Sequence, residues 1–222
     1  MNPIADTLAA VKLGQPLQFR NLAVFPLIAP SERDPGYVLL DDALARKVAR
    51  VTEVSESGSV PELMFYNDGE EDILLMDGEE LVGAKQNRIL NVSILVGGKQ
   101  QVAVPVSCVE QGRWAWRSRQ FDSAGRSLFA RARAKKMRRV SESVRRTGMY
   151  DSNQGEIWHD VHEKLSALNV RSATASMGDA YEERAANIEE YVQALKPSER
   201  QVGAAAPNSW RLMMGKPAIS PP

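Results

Sequence analysis

The rhythm of apolar and polar positions changes near residue 120 of this 222-residue chain. Before that point apolar residues come in short runs or in alternation, the period of strands whose successive side chains face opposite ways. Met1 to Gly14 reads as a short amphipathic helix, and LQFRNLAVFPLIA, Leu17 to Ala29, as one strand ended by Pro30. A short strand at Tyr37 to Leu40 precedes a helix, DALARKVAR, for which Asp41 is the cap. Thr52 to Glu56, Glu62 to Tyr66 and Asp72 to Met76 make three more strands, punctuated by Ser57-Gly58 and Asn67-Asp68-Gly69.

The next stretch, Leu74 to Trp114, carries more polar side chains than a strand region needs for a core. After the Asp77-Gly78 turn, Glu79 to Ile89 reads as one extended segment. In it Glu80, Val82, Ala84, Gln86 and Arg88 share a face opposite Leu81, Gly83, Lys85, Asn87 and Ile89. A bulge at Gly83 would reverse that assignment. The Gly97-Gly98 turn then joins a strand at Asn91 to Val96 to one at Gln100 to Glu110. There Val102, Val104, Val106, Cys108 and Glu110 share a face. Parity thus predicts that Glu80, Gln86, Arg88, Cys108 and Glu110 converge on one concave surface, with an Arg–carboxylate contact inside it.

Beyond Gln120 the period becomes helical. Ser123 to Arg146 carries an apolar stripe of Phe129, Met137, Val140 and Val144 and stops at Gly148. Asn153 to Leu168 is a second helix, with Ile157, Val161, Leu165 and Leu168 inward. A third opens at Ser176 or Asp179 and packs through Tyr181, Ile188, Tyr191, Val192 and Leu195. Strands followed by helices mean an α+β fold. The expectation is one α+β domain over 1–203, mostly antiparallel β over 17–119 and helical over 121–196, with a poorly ordered tail at 204–222.

Composition narrows the function classes. The 28 basic and 28 acidic residues cancel, so no whole-chain field draws the protein to nucleic acid or anionic lipid. A single cysteine excludes an internal disulfide and fits a reducing compartment. The N-terminus lacks the basic start and apolar core of a secretory signal, and no apolar run approaches the ~20 residues of a membrane span. The expected location is the cytoplasm.

Two stretches, GEELVGAKQNRILNVSILV (Gly78 to Val96) and PVSCVEQGRW (Pro105 to Trp114), carry a resemblance. TEVSESGSVPEL (Thr52 to Leu63) and RSATASMGDAYEER (Arg171 to Arg184) extend it. The chain resembles the ARG and Rhodanese-Phosphatase-superfamily-associated protein domain family, in which ARG denotes ADP-ribosylglycohydrolase, over roughly Leu17 to Gly203. The resemblance implies genomic company with enzymes of ADP-ribose metabolism and no particular reaction.

The candidate chemistry lies in the same stretches. Glu80 and Glu110 are a candidate acid–base pair for hydrolysis at a glycosidic or phosphoester centre, provided burial separates their pKa values. The alternative is a structural ion pair with Arg88 or Arg113. Cys108 is a candidate nucleophile if Lys85, Arg88 or Arg113 lowers its pKa, and otherwise a buried core side chain. Lys85, Gln86, Asn87, Arg88, Arg113 and Trp114 are the candidate substrate-binding residues, with Arg88 suited to a bidentate grip on phosphate or carboxylate. The alternative for Gln86, Asn87 and Arg88 is to satisfy loop backbone. His159 and His162 stand at i, i+3 with no further ligand to complete a metal set, so no metal is assigned and no cofactor is named. Between Arg126 and Arg146 nine Lys or Arg residues face one acid, Glu142, while the following segment is acidic. Complementary helices explain this better than nucleic-acid binding, which is disfavoured for want of interleaved aromatics. The leading expectation is an enzyme or ligand-binding domain for ADP-ribose or an NAD-derived nucleotide. The rivals are a non-catalytic module for a phosphorylated ligand or partner, and a nucleic-acid binder through 126–146.

Overall fold

The structure, a computed structural model, describes residues 3–31, 34–56 and 61–206. The Ser57-Gly58 turn and the stretch 207–222 of the expected tail lie outside the described residues. In chain order the elements begin with α1 (Pro3–Ala10), β1 (Lys12–Leu13), β2 (Leu17–Phe19) and β3 (Leu22–Ile28). Then come β4 (Tyr37–Leu39), α2 (Leu40–Ala45), β5 (Ala49–Glu53), β6 (Glu62–Asn67) and β7 (Asp72–Leu75). They are followed by β8 (Glu79–Gly83), β9 (Arg88–Leu90), β10 (Ile94–Val96), β11 (Gln101–Cys108) and β12 (Phe121–Ser127). The chain closes with α3 (Ala130–Thr147), α4 (Gln154–Ala167), α5 (Met177–Glu183), α6 (Ala185–Ala194) and β13 (Gln201–Ala205). The fold is α+β, as the two rhythms of the sequence require.

The chain forms two compact units, one of residues 1–34 with 184–222 and one of residues 35–183. In the first, β3 is the centre of an antiparallel sheet flanked by β1, β13 and β2. The single strand expected at Leu17 to Ala29 is a hairpin instead. Phe19 pairs with Leu22, and Arg20 takes φ 49° to close the two-residue turn. Strand β13 carries Ala204 and Ala205 into this sheet opposite Pro26 and Phe25.

The second unit is a closed six-stranded barrel, β11-β6-β5-β12-β8-β9, beside a small sheet, β10-β7-β4. Alternation fills the barrel: Ala49, Val51 and Glu53 of β5 point inward, as do Leu63 and Phe65 of β6, and Val104 and Val106 of β11. Three expectations fail here. The helix over 42–50 ends at Ala45, and Ala49 onward is β5, whose interior positions the barrel needs. The residues around Gly97-Gly98 do not join paired strands, because β10 pairs with β7 while β11 pairs with β6 and β9. Gly98 lies so close to the Glu70 backbone that a Cβ would collide with its carbonyl oxygen, and Asn67 donates to the Val96 and Gly97 carbonyls. The segment Glu79 to Ile89 is broken between β8 and β9, where Gly83 has φ 130° and Ala84 φ 37°.

The helical part also begins later than its pattern implies. Phe121 to Ser127 is strand β12, paired with β8 through a register shift between Ser123 and Ser127, and α3 starts at Ala130. Its buried side is Ala132, Lys136, Val140 and Ser143, whereas Met137 and Val144 are exposed. Lys136 is drawn inward because its amine donates to the Leu90 and Asn91 carbonyls, both at 2.8 Å, and lies 3.4 Å from Asp77. Burial pushes its pKa down to about 8 against the pull of Asp77. The expected third helix is two helices, α5 and α6, which fall in different units. Helices α3, α4 and α5 cover the outer face of β9 and the end of β11 through Ile89, Val109, Leu128, Ala132, Ile157, Val161, Leu165, Met177 and Ala180. Among the described residues no helix is long and apolar enough to cross a membrane.

Gly83 is the hinge of this arrangement. An added Cβ would meet Ser118 Oγ at 2.6 Å and the Gln120 carbonyl at 2.7 Å, on a backbone that L residues rarely adopt. Gly83→Ala should cost about 1–3 kcal/mol of unfolding free energy. Denaturant melts read this directly, and a midpoint equal to that of the wild type would refute it.

Candidate functional site

The break at Gly83-Ala84 decides which polar groups meet. Because β8 and β9 pair with Leu81 opposite Arg88 and Glu80 opposite Ile89, Arg88 faces the barrel interior with Leu81. Glu80 faces outward with Ile89, toward the helices. The convergence expected from parity is therefore corrected: Glu80 and Arg88 stand on opposite sides of the barrel wall.

On the outer side Glu80 and Glu110 share one network. Arg126 of β12 donates to Glu80 Oε2 at 2.6 Å, and Asn87 Nδ2 donates to Oε1 at 3.3 Å. The Asn87 backbone N–H donates to Glu110 Oε2 at 3.3 Å, and Thr174 Oγ1 donates to Oε1 at 2.9 Å. An isolated bridge between Glu110 and Ser176 holds the start of α5 against this point. Arg113 anchors the whole. Its Nε donates to Glu110 Oε2 at 2.8 Å, its Nη1 to the Ala84 and Ala115 carbonyls, and its Nη2 to the Gly83 carbonyl and Asn87 Oδ1. A guanidinium so engaged has no donor left to grip a substrate, so Arg113 is a scaffold rather than the expected binding residue. The expected Arg–carboxylate contact takes the form of two pairs, Arg113–Glu110 and Arg126–Glu80.

The two carboxyls sit in environments of opposite effect. Burial raises Glu80 above its ordinary value, with Arg126 and Asn87 lowering it less than burial lifts it and Glu110 adding repulsion. Burial lifts Glu110 too, but hydrogen bonds from Arg113, Thr174 and the Asn87 amide outweigh it, and its pKa falls below the ordinary value. Above this network lies an open cleft of about 360 Å³, lined by Val82, Asn87, Glu110, Arg117, Ala124, Arg126, Ser176, Asp179 and Glu182. Arg117, mostly exposed, approaches Glu110 Oε1 at 3.6 Å.

On the inner side Arg88 pairs across strands with Cys108. Gln86 accepts from Arg88 Nη1 at 2.7 Å and donates to the Glu110 carbonyl at 2.6 Å. Cys108 is fully buried, and burial pushes its thiol pKa up against the hydrogen bonds and Arg88 nearby. It is not the activated thiolate that a nucleophile needs. Lys85 lies outside the barrel mouth, 5.4 Å from the Trp114 ring and 5.0 Å from the Trp116 ring, and its amine donates to the Glu56 carbonyl. Trp114, half exposed, also covers Arg88 at 5.6 Å.

Sequence reading missed Arg117, Arg126, Ser176, Asp179 and Glu182 at the cleft, Thr174 beneath it on Glu110, and Glu53 inside the barrel. The first six come from a loop, a strand read as helix, and segments distant in sequence. Thr174, Ser176, Asp179 and Glu182 fall in the stretch RSATASMGDAYEER, and Glu53 in TEVSESGSVPEL, both part of the resemblance but given no chemical role there. Among the described residues no group of three or more His, Cys, Asp or Glu side chains could hold a metal ion. The basic helix is laced to its neighbours by Arg131–Glu163, Arg133–Asp77, Lys135–Asp160 and Arg139–Glu156.

The sequence model of the ARG and Rhodanese-Phosphatase-superfamily-associated Protein domain matches residues 10–214. The chain belongs to this family. The match spans β1 to β13 and includes every residue of the cleft and of the barrel interior. No curated protein and no solved structure matches the chain.

The opposed carboxyls give this family member a two-sided acid response. The Glu110 contribution is complete above its unfolded pKa near 4.5 and is lost as pH falls through its lower folded value. Glu80 has the opposite sign: its contribution is complete below about 4.5 and is lost as pH rises through its higher folded value. Urea melts from pH 3 to 7 should show Glu110→Gln flattening the acid-side loss and Glu80→Gln removing the decline at higher pH. Slopes unchanged in both variants would contradict these placements.

Proposed function

We propose that this domain binds a ribose-bearing phosphate, ADP-ribose or a related nucleotide, with its ribose–phosphate part in the cleft above Glu80 and Glu110. One observation carries the reading. The cleft sets the guanidinium groups of Arg117 and Arg126 beside the carboxylates of Glu110, Asp179 and Glu182. Guanidinium forks suit phosphate oxygens, and carboxylates accept from ribose hydroxyls. The family's association with ARG, the ADP-ribosylglycohydrolase, supports the same ligand class. Arg126 is held by Glu80 at 2.6 Å, so it is pre-oriented, while the mostly exposed Arg117, 3.6 Å from Glu110, would turn from that carboxylate to meet a ligand.

Hydrolysis of such a ligand is the second reading, favoured by one specific feature. Glu80 and Glu110 interact and are displaced in opposite directions from their ordinary pKa values, the division of labour a general acid and general base require. Against it, both carboxylates already accept from protein donors, so turnover would need Asn87 or Arg126 to give way. A phosphorylated partner in place of a small molecule would use the same two arginines. The ion pairs along the basic helix leave it less of the positive field that nucleic acid needs.

Isothermal titration with ADP-ribose, NAD and AMP should give a saturable heat for at least one of them. Arg117→Ala, a mostly exposed position, should keep the melting temperature and weaken that affinity at least tenfold, about 1.4 kcal/mol. Product analysis of the same mixtures separates the readings: turnover lost in Glu80→Gln makes the domain an enzyme, and binding without turnover makes it a module. No heat with any of the three at millimolar concentration would refute the proposal.

A further inference from the structure

An exposed tryptophan forgoes the burial that makes its ring so large a contributor to a core, and grouped ones mark interaction surfaces. Among the described residues three aromatic side chains are exposed, and two of them stand two positions apart: Trp114 at 50% and Trp116 at 42%. They lie in RWAWRSR, Arg113 to Arg119, a run with three arginines and no acid. The run divides its side chains between two sides. Arg113 and Arg117 both reach Glu110 beneath the cleft, whereas Trp114 and Trp116 both lie against Lys85. Arg119 joins the tryptophan side, 5.3 Å from the Trp116 ring, with its own side chain 78% exposed.

The backbone that carries these rings is tied down. The N–H groups of Ala115 and Arg117 donate to the Lys85 and Ala84 carbonyls at 3.1 and 2.9 Å, and Arg113 donates to the Ala115 carbonyl at 2.9 Å. Ser118 Oγ accepts from the Ala84 N–H and donates to the Gln120 carbonyl. Both indoles are therefore set in place by the break between β8 and β9, which spares part of the ordering cost of binding. The want of interleaved aromatics that counts against nucleic acid at 126–146 does not apply here.

We propose that this tryptophan face binds single-stranded nucleic acid, with bases stacking on Trp114 and Trp116 and phosphates on Lys85 and Arg119. An indole stacks on any base, and cations beside it follow the backbone. Lys85 and Arg119 now lie over the Trp116 ring, so a base that takes the ring leaves both cations within reach of its phosphate. One acid opposes this. Glu56, with its side chain 92% exposed, pairs with Arg119 at 3.3 Å, and its carbonyl accepts from Lys85. A pair so exposed is weak, and phosphate competes with it. The chain's zero net charge supplies no long-range field, so the footprint is a few nucleotides. A duplex is rejected because it hides the base faces that the rings need. The face lies on the other side of the loop from the cleft, and Glu80 and Arg126 take no part in it.

Fluorescence anisotropy with labelled oligouridylate and oligothymidylate tests this, beside a DNA duplex of equal length and anionic phosphatidylglycerol vesicles. Both single strands should bind saturably at low salt, and the duplex at least tenfold more weakly. With two cations on phosphates, the logarithm of the affinity should fall against that of the salt concentration with a slope of about −1.4. Trp116→Ala should weaken binding at least fivefold at an unchanged melting temperature, and Trp116→Phe should keep most of it. Arg119→Gln, at an exposed position, should lower the slope to about −0.7, and it tests the proposal even if Trp116→Ala does not fold. Excess ADP-ribose should leave the strand bound. The proposal is overturned if neither strand binds, if the duplex binds equally well, if Trp116→Ala folds and binds like the wild type, or if Arg119→Gln keeps the full slope. Displacement by ADP-ribose would put the strand in the cleft, and binding to vesicles alone would make the face a lipid contact. Either result also overturns it.

Discussion

The hydrogen bonds of Arg113 are the constraint on which the polar end of the barrel depends. This guanidinium is 7% exposed and directs its donors at Gly83, Ala84, Ala115, Asn87 and Glu110. Those five residues lie on three separate stretches: the break between β8 and β9, the turn after β11, and the loop bearing Trp114 and Trp116. Arginine suits the task because its donors are fixed in a plane and its charge cannot be given up on burial. Glu110 supplies the countercharge that makes such burial tolerable, and Thr174 and Asn87 complete that carboxylate.

From that knot two polar environments diverge. Outward, Glu80 and Glu110 lie under a cleft with both cationic and acidic walls. Inward, Arg88 and Glu53 share an apolar barrel with Val106, Leu90 and Leu81. Gln86 and Asn87, adjacent in sequence, serve one side each: Gln86 steadies Arg88, and Asn87 joins Glu80, Glu110 and Arg113. The wall between these two environments is only one strand thick. Lys136 repeats the theme on the helical side, where a buried ammonium closes the Leu90 and Asn91 carbonyls and draws α3 onto the barrel. Arg113 and Lys136 do structural work that an apolar residue of equal size would not, because each satisfies carbonyls that the strand ladders leave open.

Much of the architecture was legible in one dimension. The shift of period near residue 120 separated strands from helices, and the alternations at Glu62 to Tyr66, Asp72 to Met76 and Gln100 to Glu110 matched β6, β7 and β11 to within two residues at either end. The polar cluster of Glu80 to Arg88 and Cys108 to Arg113 stood out because those residues offend a strand core. Local pattern was blind where the chain departs from its own period. Glu79 to Ile89 looked continuous, but Gly83 and Ala84 both take positive φ, and the resulting break sends Glu80 and Arg88 to opposite faces. Phe121 to Ser127 has few strand formers and became β12 because the barrel needed a strand between β5 and β8 to close.

Sequence by itself determined the α+β class, the family, the residues rich in chemistry and the complementary charges of the 126–163 helices. Those follow from composition and from neighbours a few positions apart. Tertiary structure alone decided which of these residues meet. Barrel closure brought Glu53 toward Arg88 from 35 positions away, and α5 brought Ser176 to Glu110 from 66 positions away. It also decided that Cys108 is sealed in the core and that Arg113 is consumed as scaffold. The physical reason is that burial and partner choice are properties of the closed barrel. Side-chain chemistry is local, but the desolvation that shifts its charge states depends on surfaces assembled from distant segments.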